Sequence, residues 1–183
     1  MKVQETSLPG CLIIEPTIFS DHRGHFFEGF NTNKFKELTG YDFDVKQMNC
    51  SRSAKGVVRG LHFQKPPFEQ SKLVFVTKGS VIDVIVDLRP DSTTFGKHCK
   101  VLLSNENCRR VFIPKGFAHG FLALEEDTEL NYLVDGFYNK AYDAGIIYSD
   151  ETLQIDWSYE EIDQIILSEK DENLPNLKQY RGE

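Results

Sequence analysis

The chain has 183 residues, 40% hydrophobic and 27% charged, which fits one folded domain spanning 1–183 and excludes disordered or collagen-like chains. Its 28 acidic residues against 21 basic give a net charge of −7; with no basic tract, that excludes nucleic-acid binding by general electrostatics but not a pocket for a small anion. No apolar run nears the roughly 20 residues of a membrane span, residues 1–6 lack a signal-peptide pattern, and the cysteines at 11, 50, 99 and 108 have no CxxC spacing, so a reduced, cytoplasmic protein is expected.

In chain order, residues 12–19 read as a first strand. Residues 33–38 read as a short helix, capped by Thr32 or Asn33 and stopped by Gly40. Residues 72–88, KLVFVTKGSVIDVIVDL, read as two strands of a hairpin around 77–80, with Gly79 at a positive-φ turn position. Further strands are expected at 99–103, 110–113, 120–124, 129–134 and 145–148, and a second short helix at 159–166. Many short strands and little helix predict an all-β antiparallel jelly-roll barrel with a few short peripheral helices.

Strand parity sorts the second strand of the 72–88 pair into two faces. Ile82, Val84, Val86 and Leu88 form an aliphatic face suited to packing between sheets. Val81, Asp83, Ile85 and Asp87 form the other, whose carboxylates either meet solvent or line a polar cavity.

Four segments carry polar chemistry. In RGLHFQ (59–64), alternation puts Gly60, His62 and Gln64 on one face and Arg59, Leu61 and Phe63 on the other; Gln70 and Lys72 follow. His62 is then either a ligand-accessible group or an ordinary core histidine. IPKGFAHGF (113–121) carries a PxGxxH spacing, that of the second cupin motif, which delivers a metal-ligand histidine, His119. The rest of that ligand set is broken: the expected HxH is His62-Phe63-Gln64, and Ala123 stands where an asparagine would close the motif. No metal is therefore expected. DHRGHFFE (21–28) offers Arg23 as an oxyanion clamp or as a surface arginine of an exposed turn. Tyr132 by itself reads as strand packing, and the 168–171 charge cluster as solvated surface.

Taken jointly, DHRGHFFE (21–28), QMNCSRS (47–53), GVVRGLHFQ (56–64), QSKLVFVTKGSVIDVIVDLR (70–89), STTFG (92–96), LSNENCRRVFIPKGFAHGFLAL (103–124), Tyr132, DETLQIDW (150–157) and LSEKDENLPNL (167–177) resemble the dTDP-4-dehydrorhamnose 3,5-epimerases. These are metal-free cupin sugar-nucleotide epimerases, and the resemblance runs the length of the chain. It implies a cupin barrel acting without cofactor on a dTDP-linked 4-keto-6-deoxy sugar, whose ketone acidifies the C3 and C5 protons. It implies a His62–Asp171 base dyad, Tyr132 as the acid on the opposite sugar face, and Lys72 facing the C4 oxygen to stabilise the enolate.

The same resemblance assigns Arg23 and Arg59 to the pyrophosphate and Phe26, Glu28, Gln47 and Asn49 to the thymidine. It puts Tyr138 at the sugar and pyrophosphate end, gives His119 supporting hydrogen bonds, sets Asp83 inward near the base, and leaves Lys170 between phosphate contact and plain surface exposure. It also implies a homodimer, to which the apolar 12–19 run could lend an exchanged strand. The chain departs from the family at Leu133, Asp143 and Tyr148, where lysine or arginine, glutamate and tryptophan are usual. Alternatives are an epimerase acting on C3 or C5 alone, a 3,4-ketoisomerase, and a non-enzymatic sugar-binding cupin. The last has no need to keep base, acid and cation together.

Overall fold

In the computed structural model, which describes residues 1–157, 159–160 and 162–182, short strands dominate and helix is confined to small pieces. In chain order the elements are β1 (Lys2–Glu5), β2 (Leu12–Glu15), β3 (Phe19–Asp21), β4 (Gly24–Phe26), α1 (Thr32–Thr39), β5 (Gln47–Ser53), β6 (Val58–Gln64), β7 (Lys72–Lys78), β8 (Ser80–Asp87), β9 (His98–Ser104), β10 (Arg110–Ile113), β11 (Phe117–Ala123), β12 (Thr128–Val134), β13 (Asp143–Gly145), α2 (Glu169–Glu172) and α3 (Leu177–Arg181). A six-stranded antiparallel sheet, β1-β2-β10-β7-β12-β5, faces a five-stranded one, β13-β6-β11-β8-β9. Together they make the jelly roll; β3 and β4 form a separate arm.

Alternation along the strands decides what lies between the sheets. Val74 and Val76 of β7, Val81 and Ile85 of β8, Val111 and Ile113 of β10, Phe117 and Phe121 of β11, and Leu130 of β12 meet in one buried cluster. Each such side chain contributes about 1.5–3 kcal/mol on leaving water. The same parity carries Lys72, Asp83, His119 and Tyr132 inward beside that core.

The two outer faces are covered differently. Phe35 of α1 and Phe43 pack on Leu12, Ile14, Leu73 and Phe112 of the six-stranded sheet. The five-stranded sheet is covered by the chain after β13, where Leu153, Ile155, Trp157 and Leu177 bury Val58, Leu61, Val84, Val86 and Leu122.

Several expectations are corrected. β7 and β8 are not hairpin partners: β7 pairs with β10 and β12, β8 with β11 and β9. Gly79, at φ 75°, turns the chain a corner between sheets, and a Cβ there would meet the Thr128 hydroxyl at 2.5 Å. The aliphatic face of β8 therefore packs under the C-terminal segment, while the face bearing Asp83 and Asp87 points between the sheets. The 12–19 run breaks after Glu15 because Pro16 supplies no ladder N–H. β2 lies between β1 and β10, so it is not a free edge.

The α1 cap is Asn31, whose side chain accepts from the Lys34 N–H. Among the described residues of 159–166 there is no helix. Ile166 instead forms a parallel bridge with Val57, its N–H donating to Gly56 O at 2.9 Å and its carbonyl accepting from Val58 N at 2.9 Å. Tertiary pairing has overridden local propensity. Glu161 lies outside the described residues. The predicted 145–148 strand is displaced to β13, ending at Gly145.

Candidate active site

At one end of the barrel the inward polar residues converge on a cleft with two lobes, of about 330 and 310 Å³. His62, Lys72, Tyr132 and Lys170 border both. Gln47, Asn49, Tyr138 and Asp143 line the first, and Arg59, His119 and Asp171 the second.

A β-bulge brings Arg59 and His62 to the same side. His119 of β11 opposes His62, while Phe121 opposes Arg59, so Gly120 alone faces both Gly60 and Leu61 of β6. The extra residue inverts parity. Arg59 therefore turns into the cleft, contrary to the simple alternation, while Leu61 stays on the outer face. Glycine is required on both strands: a Cβ on Gly120 would lie 2.7 Å from Arg59 O, and one on Gly60 2.7 Å from the Gly120 Cα.

His62 Nε2 lies 2.7 Å from Asp171 Oδ1, the two residues being 109 apart in the chain. With Nε2–H donating to the carboxylate, Nδ1 keeps a lone pair free. Asp171 is 4% exposed. Its position is set by α2: Ser168 caps the helix and accepts from the Asp171 N–H at 3.1 Å. Burial opposes ionisation of Asp171, but the hydrogen bond and charge of His62, aided by Ser168 and the Gly60 backbone, outweigh it and hold the carboxyl below its ordinary range.

A second buried pair lies beside the first. His119 Nε2 is 2.6 Å from Asp83 Oδ1, and Asp83 is fully buried. Burial pushes the Asp83 carboxyl up, against His119 and Lys72, and pushes the His119 imidazolium down. Lys72 is 9% exposed and donates to the His62 carbonyl at 3.3 Å. Burial lowers its ammonium to about 8, while Asp83 and Asp143 pull it upward. Its Nζ stands 5.8 Å from the centre of the Tyr132 ring. Burial raises the Tyr132 phenol, so at neutral pH it carries its proton.

Arg59 is held by Ser53 Oγ at 3.1 Å and Arg52 O at 3.2 Å. Gln47 donates to Asn49 Oδ1 at 2.7 Å. Lys170 reaches Asp143 at 2.6 Å, and the Tyr138 hydroxyl donates to the same carboxylate oxygen at 3.2 Å.

Asp143, Ser168 and Gln64 are site residues that sequence reasoning left out. Asp143 registered only as a departure from the family, and Ser168 is visible as the serine of S-x-K-D. Gln64, read as a failed metal ligand, serves the backbone instead. Its amide donates to Phe68 O at 2.9 Å and accepts from Asn139 N at 2.7 Å, fixing the 137–139 turn above the cleft.

Arg23, Phe26 and Glu28 are not brought to the cleft. Arg23 is exposed on the β3–β4 arm, paired with Asp21 at 2.6 Å. Phe26 is 71% exposed, and Glu28 pairs with Lys34 at 2.9 Å. Phe26 and Glu28 border a separate groove with Phe19 and Leu38.

The model of the family described as dTDP-4-dehydrorhamnose 3,5-epimerase matches residues 5–179. The enzyme of that name from Escherichia coli K12 is 47% identical over 97% of this chain and 95% of its own length. The crystal structure of the Elizabethkingia anophelis enzyme superposes with a TM-score of 0.92 at 49% identity, covering 98% of this chain and 97% of that one. A Legionella pneumophila relative, solved in complex with dTDP-4-keto-L-rhamnose, gives a TM-score of 0.92 at 43% identity, covering 97% and 93%.

Proposed function

The chain belongs to the dTDP-4-dehydrorhamnose 3,5-epimerase family, and on that premise we propose how its cleft carries out the reaction. The enzyme epimerises dTDP-4-dehydro-6-deoxy-D-glucose at C3 and C5, giving dTDP-4-dehydro-L-rhamnose for dTDP-L-rhamnose biosynthesis. The observation carrying the mechanism is the His62–Asp171 contact at 2.7 Å in a cleft that Tyr132 and Lys72 also border.

His62 Nδ1 removes the proton from C3 or C5, and the Asp171 carboxylate stabilises the imidazolium that forms. The electron pair moves onto the C4 oxygen. Lys72 meets charge there that the ketone lacks, so its interaction strengthens on the way to the enolate. As the electron pair returns from the C4 oxygen and the ketone re-forms, Tyr132 protonates the carbon from the opposite sugar face; the phenolate then takes a proton from solvent and the His62 imidazolium gives its own up to solvent. Arg59 and Lys170 hold the pyrophosphate, with Tyr138 beside them at the sugar and pyrophosphate end; Gln47 and Asn49 hold the nucleoside end.

We also propose a cytoplasmic homodimer in which the β3–β4 arm carries Arg23, Phe26 and Glu28 to the nucleotide of the second copy. The exposure of Phe19 at 64% and Phe26 at 71%, on an arm remote from its own cleft, supports this. A monomer at micromolar concentration in light scattering would overturn it.

The mechanism is tested by NMR in heavy water, counting deuterium at C3 and C5 separately from inverted product. His62→Ala should abolish exchange at both carbons. Tyr132→Phe should still exchange, with reprotonation from the original face, while inversion slows. Inversion by Tyr132→Phe at the wild-type rate would remove Tyr132 as the acid, and ready exchange by His62→Ala would remove the base. Exchange at only one carbon in the unmodified enzyme would mark a single-carbon epimerase.

A further inference from the structure

The enolate mechanism uses Lys72 as a cation, yet Lys72 is buried and, among the described residues, its only hydrogen-bond acceptor is a neutral carbonyl, His62 O at 3.3 Å. A buried ammonium without a counter-charge loses its proton.

The acids within reach are few. β13 brings Asp143, α2 brings Asp171, and β8 brings Asp83. Asp171 is committed to His62 at 2.7 Å and Asp143 to Lys170 at 2.6 Å. The remaining titratable groups facing Lys72 are His62 and Arg59 of β6, Tyr132 of β12 and His119 of β11. β10 sets Ile113 against Lys72.

Asp83 differs from the other two acids. It is fully buried, its Oδ1 is held by His119 Nε2 at 2.6 Å, and its Oδ2 is the one buried side-chain oxygen among the described residues that accepts no hydrogen bond. An acceptor left open in this way is not what a structural carboxylate needs.

We propose that Asp83 is a positioning residue for the reaction: oriented by His119, its carboxylate is the buried counter-charge that keeps Lys72 an ammonium facing the enolate oxygen. Asp83 touches neither substrate nor Lys72 Nζ and acts across the cavity. With His119 neutral, and with Asp171 and Asp143 already paired, the buried Lys72 ammonium and the buried Asp83 carboxylate offset each other. The lowering of Lys72 to about 8, with Asp83 first among the groups that oppose it, agrees with this. The inference rests on Lys72 being the enolate-facing cation.

The test is Asp83→Asn, which keeps an oxygen to accept from His119 and removes only the charge. Without that charge Lys72 should lose its proton at lower pH, so the alkaline limb of kcat should move towards acid by about one pH unit or more. At pH 8 kcat should fall about fivefold, approaching the wild-type value as the pH drops toward 6. In parallel, Lys72 is titrated by 13C NMR in substrate-free enzyme carrying labelled lysine, its resonance identified with Lys72→Arg. Its midpoint should move with the kinetic limb.

A folded Asp83→Asn enzyme whose Lys72 midpoint does not move, or whose kcat falls equally at every pH, would overturn the proposal. Asp83→Ser, smaller and still able to accept from His119, should reproduce the shift. The unmodified enzyme gives a readout independent of either variant: a 13C carboxyl resonance showing Asp83 protonated at pH 7 also overturns it. Because the Lys72 titration needs no turnover, failure of this inference is distinct from failure of the functional reading, which would show as absence of epimerisation in the wild type.

Discussion

Replacing Asp171 with asparagine keeps the shape of the dyad and removes its charge. In the resting enzyme the loss is small, because neutral His62 can donate Nε2–H to an amide oxygen as it does to the carboxylate at 2.7 Å. The difference appears when His62 takes the substrate proton and becomes a cation. Opposite charges about 4 Å apart attract by about 4 kcal/mol at an effective dielectric of 20. The Asp171 side chain is 5% exposed but that of His62 is 31%, so solvent screens part of the attraction. Taking half to three-quarters of it leaves roughly 2–3 kcal/mol, or about 30- to 150-fold in the proton-transfer rate. The measurement is the single-turnover rate of C3 and C5 deuterium exchange, followed by NMR, with dTDP affinity measured alongside. Exchange should slow by that factor with dTDP affinity unchanged. A loss under fivefold would show that Asp171 supplies no counter-charge, and an equal loss of nucleotide affinity would show that it works by holding the cleft together.

Three other outcomes are expected. Metal chelators should leave turnover intact, because Gln64 is committed to the 137–139 turn and, among the described residues, no three His, Cys, Asp or Glu side chains gather as a metal site; full, metal-reversible loss would contradict this. Asp87 is buried and, despite the opposing effect of burial, is held at about 2 by Arg89, Ser92 and Thr94, against an ordinary 3.8. Its folded-state value is depressed, so its contribution of about 2–3 kcal/mol is present above the ordinary carboxylate value and fades as pH falls through about 2. Asp87→Asn should therefore destabilise the protein at pH 7 in urea unfolding, by a penalty that shrinks near pH 2. Gly120→Ala drives a Cβ to within 2.7 Å of Arg59 O and 3.2 Å of Leu61 Cδ2. It should lower stability by about 1–3 kcal/mol, seen as a drop of about 2–12 °C in Tm, and slow turnover more than it weakens nucleotide binding, since His62 adjoins the bulge.

The inward placement of Lys72, His119 and Tyr132 follows from the same two-residue period that buries Val74, Phe121 and Leu130, so those side chains are legible from strand pattern once the core face is known. On β8 the core face itself is deceptive. An aliphatic row such as Ile82, Val84 and Val86 looks like the inside of a sandwich, and nothing local reveals that Leu153, Ile155 and Trp157 return to cover it from outside. The bulge defeats parity for a similar reason: Gly60 signals an irregularity, but its effect depends on Gly120, sixty residues away. Gly79 marks a turn in the sequence, whereas only the pairing partners of β7 and β8 distinguish a hairpin from a corner. The Asp83–His119 pair is invisible to any local rule because its members sit on different strands.

The base and its orienting carboxylate lie 109 residues apart in the polypeptide. His62 lies on an early strand, and Asp171 arrives on a four-residue helix guided by the pairing of Ile166 with Val57. The barrel strands, Lys72, Tyr132 and His62 all precede Asp171 in the chain. Without residues 166–172 the imidazole would lack the carboxylate that sets its tautomer, and the sheet beneath would lose part of its cover. The short pairing of Ile166 with Val57 thus ties the orientation of an imidazole on β6 to a segment more than a hundred residues further along the chain.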